Sequence, residues 1–553
     1  MKKLLLLSTL FAGAGASAQL VIDNATFFIG ENAVVTVQGN VQSNVSIQAG
    51  GAGATLGKLQ LKGTAAQTLN MGGVGNRVPR LEIDNTNHVQ LTSGAKVGNL
   101  EFTNGKLQLG NNDLVYTGTV TGAAAGKFVE TDGTGFLRDS VGTGAVVNAV
   151  LPVGNGSDYT PITITSAANN TGANATVGVR ATGVAVPTPT RHPRTEAYLS
   201  TEWAYETQNL ANAGALTGTA TYVGGDVVLA PSTNLTATDI TGFSRVGSTW
   251  SLAGTTKAAN SVGATLPGTS GSLYGMNTFV LASPKAFLQG AFFNPVTPGV
   301  MNDALRTNVA YSAGNYPASN LIPLSDPYRT ATYSTQFAHL LNPVGETIAQ
   351  SVLNDLANPE NQIVDWIFLE LRNTATSGNA VLQTRTGLLQ RDGDIVDVDG
   401  ISPIYFKNVG AASYSIGIRH RNHIGMYTNP TNFTVPLGLT TSAVDFSTLA
   451  ATNLMGTANS NYLNANSRNQ LYAGNANLNT RVSYSASAND AAFILSTLLG
   501  SNVNTILLNT YSQGDANFNR RVSYSGSGND AAFILATPLL SNINTLRIEV
   551  KPN

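Results

Sequence analysis

Oxygen-bearing side chains at alternate positions, each set followed by a short apolar helix, are the densest chemistry in this chain, and they occur twice. Residues 474–498 read GNANLNTRVSYSASANDAAFILSTL and residues 514–538 read GDANFNRRVSYSGSGNDAAFILATP, so each position of one copy has its counterpart 40 residues on. In the second copy Asp515, Asn517 and Asn519 occupy positions 1, 3 and 5 of a loop. Arg521 offers its backbone carbonyl at position 7 and Ser523 its hydroxyl, or a water, at position 9. Hard oxygen donors at this spacing are what a calcium loop of EF-hand type presents to its ion, and Val522 fills the anchoring apolar position 8. Arg520 replaces the usual Gly at position 6, and no acid stands at position 12. Asp530, at the start of the helix, either closes the site or serves only as a helix cap, a role Asn and Asp favour.

The first copy supplies Asn475, Asn477, Asn479, Arg481, Ser483 and Asp490, one carboxylate where the second copy has two. Calcium affinity falls as carboxylates are lost. The sequence therefore predicts weak calcium binding in the second loop, and weaker binding or none in the first, where Asn side chains hydrogen-bonded to the backbone would form Asx turns instead. Neither copy can bury its helix alone. Phe493, Ile494, Leu495 and Leu498 need Phe533, Ile534, Leu535 and Leu539 across a pseudo-twofold, which predicts one module over 471–553 rather than two.

Other constellations are weaker. RDGDIVDVDG (391–400) places Asp392, Asp394, Asp397 and Asp399 close together, a cation cradle or, by preference, a hairpin with solvated acids. His420 and His423 form H-x-x-H, but zinc-binding helices use i, i+4 spacing, and two such residues on one strand would face opposite sides, so a structural role is expected. There is no G-x-S-x-G elbow, no H-E-x-x-H and no Cys nucleophile. The sequence is read as non-enzymatic.

The elements that position these residues are β. Residues 20–125 are short alternations such as Val35-Thr-Val37, Leu59-Gln-Leu61, Leu81-Glu-Ile83 and Leu114-Val-Tyr116, broken by Gly and Asn. GKLQL recurs at 57–61 and 105–109, read as two rungs of 24 residues. Period-2 strands with Gly/Asn corners predict a stacked β-solenoid over 19–125. Residues 126–285 carry longer strands around a Pro-rich break at 184–193, and predict an antiparallel β-sandwich with Trp203 and Trp250 in its core. Residues 286–450 predict a second β-sandwich with short helices at 302–306 and 347–356. The polar stretch 451–470 reads as a linker.

Composition bounds the rest. Of 553 residues 42% are hydrophobic and only 11% charged, the net charge is −1, and there is no Cys. No basic run would hold phosphates, so nucleic acid is not an expected partner. No apolar segment reaches the ~20 residues of a membrane span. Residues 1–18, MKKLLLLSTLFAGAGASA, combine a basic start, an apolar stretch and an A-x-A site, which predicts a secretory signal peptide and an extracellular or cell-surface location.

Several segments carry a resemblance: FLQGAFF (287–293), MNDALRT (301–307), IPLSDPY (322–328), VDWIFLELRN (364–373), LLQRDGDIVDVDG (388–400), IGIRHRNHIG (416–425) and LPVGNGSDYTPITIT (151–165). They resemble segments of large secreted Bacteroidota proteins of haemagglutinin-like or adhesin-like type, and the terminal repeats resemble the dockerin-like pairs of such proteins. The resemblance implies export and an adhesive or structural role. The expected function is that of a secreted structural or adhesive protein, self-assembling into fibres through its final strand (546–550) or contacting extracellular polysaccharide. The alternatives are a polysaccharide-acting enzyme or carbohydrate-binding protein, and a dockerin-like scaffold-docking protein.

Overall fold

The computed structural model describes residues 19–183, 196–230, 235–247, 249–252, 254–306, 320–341, 345–355, 357–374, 379–407, 409, 413–436 and 441–552. The expected signal peptide (1–18) and the Pro-rich break (184–193) lie outside these residues. The protein is mainly β, with an N-terminal β-solenoid of about six turns. The chain forms two compact units, the first ending at Asn277 and the second beginning at Thr278.

In the first unit the apolar alternations are short and end at Gly or Asn, residues that turn the chain at little steric cost. A strand of three residues cannot satisfy its own backbone, but stacked in parallel each rung supplies partners to the next. One sheet stacks Leu20–Ile22, Val41–Ser43, Gln67–Asn70, Val89–Leu91, Leu107–Gln108, Val129–Glu130 and Val153–Asn155. The other stacks Val34–Val37, Lys58–Gly63, Arg77–Asn85, Ala95–Asn104, Leu114–Tyr116 and Leu137–Val141. Register aligns like with like: Leu59 lies opposite Leu81 and Leu81 opposite Leu100, and all three are fully buried. Polar corners stack too. The buried Asn85 amide donates to Gln67 Oε1 at 2.7 Å, and Gln67 donates to the carbonyls of Val37 and Gly39. A ladder of ion pairs crosses the rungs, Lys58–Glu82 and Arg80–Glu101 at 2.5 Å and Lys62–Asp84 at 2.8 Å.

The two GKLQL copies are not equivalent rungs. The first is the strand Lys58–Gly63 of the larger sheet, whereas Leu107–Gln108 belongs to the other sheet, where Leu107 pairs with Val89. Parallel stacking continues beyond residue 125, with Val129 opposite Val153. The larger sheet then turns antiparallel, Leu137–Val141 lying beside Ala175–Thr182, which pairs in turn with Glu202–Gln208. A separate antiparallel sheet of five strands, including Val146–Leu151 and Ile162–Asn169, shares the same hydrophobic core. Trp203 is buried there and donates to Thr160 O at 2.8 Å. Trp250 is only half-buried, with the Arg245 guanidinium 5.5 Å from its ring, which corrects its expected place in the core.

The second unit is built on Ile363–Asn373, flanked by Val381–Gln390 and Ser413–His420, with His423–Tyr427 returning beside the latter. All but the last of its residues are buried, which accounts for its nearly unbroken apolar run. The helix expected at 302–306 is a turn in which Arg306 pairs with Asp303 at 2.5 Å, and the one expected at 347–356 is limited to Gln350–Leu353. The stretch 451–470 carries a hairpin, Leu463–Ala465 with Arg468–Gln470, and buries Tyr462 and Asn469. Among the described residues no helix is long and apolar enough to cross a membrane.

Replacing Leu81 by Ala should remove the centre of an inner column and destabilise the first unit by ~2–5 kcal/mol. Replacing the half-buried Gln60 by Ala should change stability by less than about 0.5 kcal/mol. Denaturant titration of the two variants checks the contrast, and equal losses would contradict the column assignment.

Candidate cation loops and the polar joint beneath them

The two repeats fold as one pseudo-symmetric body. The strand after each copy pairs with the loop of the other: Ile506–Leu508 with Arg521–Ser523, and Arg547–Ile548 with Arg481–Val482. The final strand, expected to offer its edge to another subunit, is therefore already paired within its own chain. Ser485 donates to Ile543 O and Ser525 to Val503 O, both at 2.6 Å. Ile494 and Leu499 of the first copy share one core with Phe533, Ile534 and Leu539 of the second. The glycine opening each loop lets the opposite helix approach. A Cβ on Gly474 would meet Ile534 at 2.9 Å, and one on Gly514 would meet Leu498 at 2.6 Å.

The copies differ where their helices end. The second helix, Asp530–Ala536, stops ahead of Pro538, which has no N–H to continue it. The first, Asp490–Phe493, loosens into a π-helical turn over Ile494–Leu498, closed by Leu499 N–H to Ile494 O at 3.0 Å.

In the second loop Asp515 and Asp530 are fully buried. Asp515 accepts the N–H groups of Asn519 at 2.9 Å and Arg520 at 3.0 Å. Asp530 accepts those of Ala516 at 2.9 Å and Ser523 at 3.0 Å. Burial pushes the Asp515 carboxyl up to about 6, against the pull of Arg421. Burial, and then the charge of Asp515, pushes Asp530 well above the usual carboxylate range. Asn517 Oδ1 accepts from Asn519 N–H and Asn519 Oδ1 from Arg521 N–H, while both side-chain amides donate to Gly528 O. Asn529 caps the helix through Ala532 N–H at 2.7 Å, which leaves Asp530 facing the loop.

Arg520, at the position where such loops use Gly, has φ +64, and Thr480, its counterpart, has φ +67. The loop geometry thus imposes a left-handed residue there whatever its type.

The first loop repeats the skeleton. Asp490 accepts from Asn477 N–H at 3.3 Å and Ser483 N–H at 2.9 Å, Asn479 N–H bonds Asn477 Oδ1, and Arg481 N–H bonds Asn479 Oδ1. Burial raises Asp490 to about 7. Asn475, replacing the first acid, is buried with its Oδ1 unbonded, as is Ser483 Oγ. Hydrogen bonds within the loops thus join Asn477, Asn479 and Asp490 in the first, and Asp515, Asn517, Asn519 and Asp530 in the second, while Ser523 Oγ accepts from Arg521 Nε at 2.9 Å. Among the described residues no three His, Cys, Asp or Glu side chains converge as a metal cluster, because each loop is lined mainly by amides.

Residues at position 4 of each loop point the other way. Leu478 and Phe518 enter the hydrophobic core of the β strands, and the Phe518 ring stacks on His420 with centroids 5.8 Å apart. Beneath them lies a joint that sequence reasoning missed. Asp365, fully buried, accepts from His420 Nε2 at 3.0 Å, Arg421 Nε at 2.9 Å, Tyr511 Oη at 2.6 Å and Trp366 N–H at 2.8 Å. Burial opposes its ionisation, but Arg421, His420 and Tyr511 outweigh that and hold it below the usual range. Arg421 also donates to Ser512 O, and Asn422 Nδ2 to Asp515 O at 2.7 Å. Near the C-terminal end Glu549 accepts from Gly425 N–H at 2.6 Å and Tyr427 Oη at 2.8 Å. An acid inside the apolar run 364–371 was the available signal, since it must find a cation, and RHRNH was the nearest cationic run.

The two His rings do not point apart. His420 ends one strand and His423 begins the next, so the tight turn at Arg421 and Asn422 brings their Nδ1 atoms to 3.1 Å. His423 Nε2 accepts from Gly290 N–H at 3.1 Å, which requires a neutral ring. The four acids of 391–400 diverge: Asp392 and Asp394 face Lys285, Asp397 faces Arg385, and Asp399 bonds Ser402.

No family model, curated protein or solved structure matches the chain. What the repeats do must be argued from their geometry.

Burial, then the neighbouring charges of His420 and Arg421, pushes the His423 ring well below its ordinary pKa of 6.5. A His with a depressed folded pKa stabilises fully above its unfolded value and loses that contribution as pH falls below it. Melting temperature should therefore carry a component that declines from about pH 6.5 downward. Asp515 and Asp530 titrate with the opposite sign, so comparison with His423→Gln isolates the term. The variant should melt lower at pH 7.5 and show a flatter decline to pH 5. An unchanged slope would remove His423 as the source.

Proposed function

We propose that this chain is an exported, non-enzymatic structural or adhesive protein of the extracellular space or cell surface. In this reading the antiparallel layers that follow the solenoid are sandwich-like, and the dockerin-like repeat pair is its terminal fastening. The observation that carries the reading is the insertion of Leu478 and Phe518 from the two loops into the β core. A module built to dock on a separate scaffold would keep such a surface free, whereas here it is spent within the chain. On the solenoid, Glu82, Asp84 and Glu101 are each paired with Lys or Arg, which favours a structural face over a groove of catalytic acids.

Calcium fits the second loop. Asp515 and Asp530 would supply its charge, with Asn517, Asn519, the Arg521 carbonyl and Ser523 as neutral donors. The ion would relieve the repulsion between two buried carboxylates and stiffen the loop that carries Phe518. The first loop, with Asp490 alone, would bind more weakly.

At calcium about ten- to a hundredfold above its dissociation constant, the gain in stability should be ~1.4–2.7 kcal/mol. Weak extracellular sites have constants of ~10⁻⁴–10⁻³ M, which sets the calcium range needed. Melting in calcium and in chelator reads this gain. Asp515→Asn should abolish it, and Asn475→Asp should enlarge it by completing the first loop. Melting indifferent to calcium in both the parent and Asn475→Asp would remove the metal from the proposal.

A further inference from the structure

The second unit contains a cavity of about 520 Å³ that the loops do not use, lined by the 289–299 segment, the hairpin after residue 463, and Thr537. Its lining brings polar groups to one opening. Gln470 is 3% exposed and lines the cavity, where its side-chain amide bonds no described residue but is not sealed from solvent. Gln289 is 5% exposed and accepts from Ala473 N–H through Oε1 at 3.1 Å, while its Nε2 bonds no described residue. Neither amide is sealed from solvent, so its free polar atoms face water that a ligand could displace. Both of these line the same open cavity.

Arg468 forms one wall. Its guanidinium lies 4.4 Å from the Phe287 ring centroid and 5.6 Å from that of Phe292, and donates once, to Gly299 O at 2.9 Å. Among the described residues no carboxylate pairs with it, and none lines the cavity. Opposite chemistry is supplied by Phe293, which is 40% exposed and held edge-on by Phe533 at 5.1 Å.

We propose that this cavity binds a carboxylated sugar residue of an extracellular polysaccharide. The two amides offer both donors and acceptors, which suits ring hydroxyls. The planar guanidinium, free of any protein acid, suits a carboxylate approached through paired N–H groups. The Phe293 face suits the apolar face of a pyranose. A neutral sugar would leave the Arg468 charge unanswered, and a purely apolar ligand would leave the glutamines unsatisfied. The inference deepens the adhesive reading and rests on it for the ligand's origin.

Calorimetric titration of the full chain with a defined oligouronate tests the site, with the corresponding neutral oligosaccharide as control. The expected result is binding of the oligouronate at least about tenfold tighter than of the neutral chain, a difference of ~1.4 kcal/mol. Phe293→Ala, which alters an exposed ring, and Gln470→Leu, which removes the polar atoms at similar size, should each weaken binding about tenfold while leaving the melting temperature close to that of the parent. Equal affinity for the neutral chain, or binding untouched by both variants, would overturn the assignment. Adhesion of the chain to polysaccharide-coated surfaces separates the two levels. Adhesion unaffected by the variants keeps the adhesive reading and rejects this cavity; oligouronate binding without surface adhesion does the reverse.

Discussion

A carboxylate placed in an apolar β core must be paired and fully hydrogen-bonded, or the fold around it fails. Asp365 is such a group, and its four partners define how the second unit is put together. Trp366 N–H is local, but His420 and Arg421 come from the turn of another hairpin, and Tyr511 comes from the segment joining the two repeats. Satisfying one charge therefore requires three distant stretches of chain to meet. In a protein without Cys this is a way to obtain what a disulfide would give, a fixed junction, with the difference that it depends on every partner being present. The same turn reaches further: Asn422 holds the Asp515 carbonyl, so the joint and the candidate calcium loop are two faces of one connection.

The duplication follows from the small size of its units. Helices of four and seven residues are too short to persist alone, and each loop leaves backbone groups needing partners. Crossing the strands, so that the segment after each copy completes the other copy's loop, solves both problems and makes folding of one copy conditional on the other. Within each loop, odd positions turn oxygens inward and positions 4 and 6 adopt left-handed backbone. That alternation is why one short segment can line a candidate cation site and plug a hydrophobic core at once. The closeness of the two sequences is then a packing requirement, since both copies face the same pseudo-symmetric neighbour.

Much of this was legible in the sequence. Solenoid strands were visible because period-2 alternation with Gly and Asn corners is a local signal, and the four named alternations all fall on strands of the larger sheet. The pairing of the repeats was visible because apolar residues at matching positions demand a shared core. What failed was what depends on partners far along the chain. GKLQL looked like a repeat of one face, but the pattern is the same for either sheet of a coil, and only register separates them. His420 and His423 were placed on one strand because nothing local marks a tight turn within RHRNH. Asp365 and Arg421 were each visible as residues but not as a pair, because their contact lies 56 positions apart in sequence.

The low charge content acquires a physical meaning once these contacts are seen. In the second unit, acids and bases are largely drawn inward: Glu370 with Arg372 and Arg419, Glu346 with Arg385, Asp303 with Arg306, Asp365 with Arg421. In the solenoid several are committed to a ladder between rungs. A surface depleted in this way has little long-range field with which to attract a partner. Recognition must then rely on short-range chemistry, amides for hydrogen bonds and rings for apolar contact, with an occasional unpaired cation to set the sign of what is bound. Arg468, packed against Phe287 and Phe292 and without a carboxylate partner among the described residues, is such a cation, and its setting suits a ligand that brings the carboxylate with it.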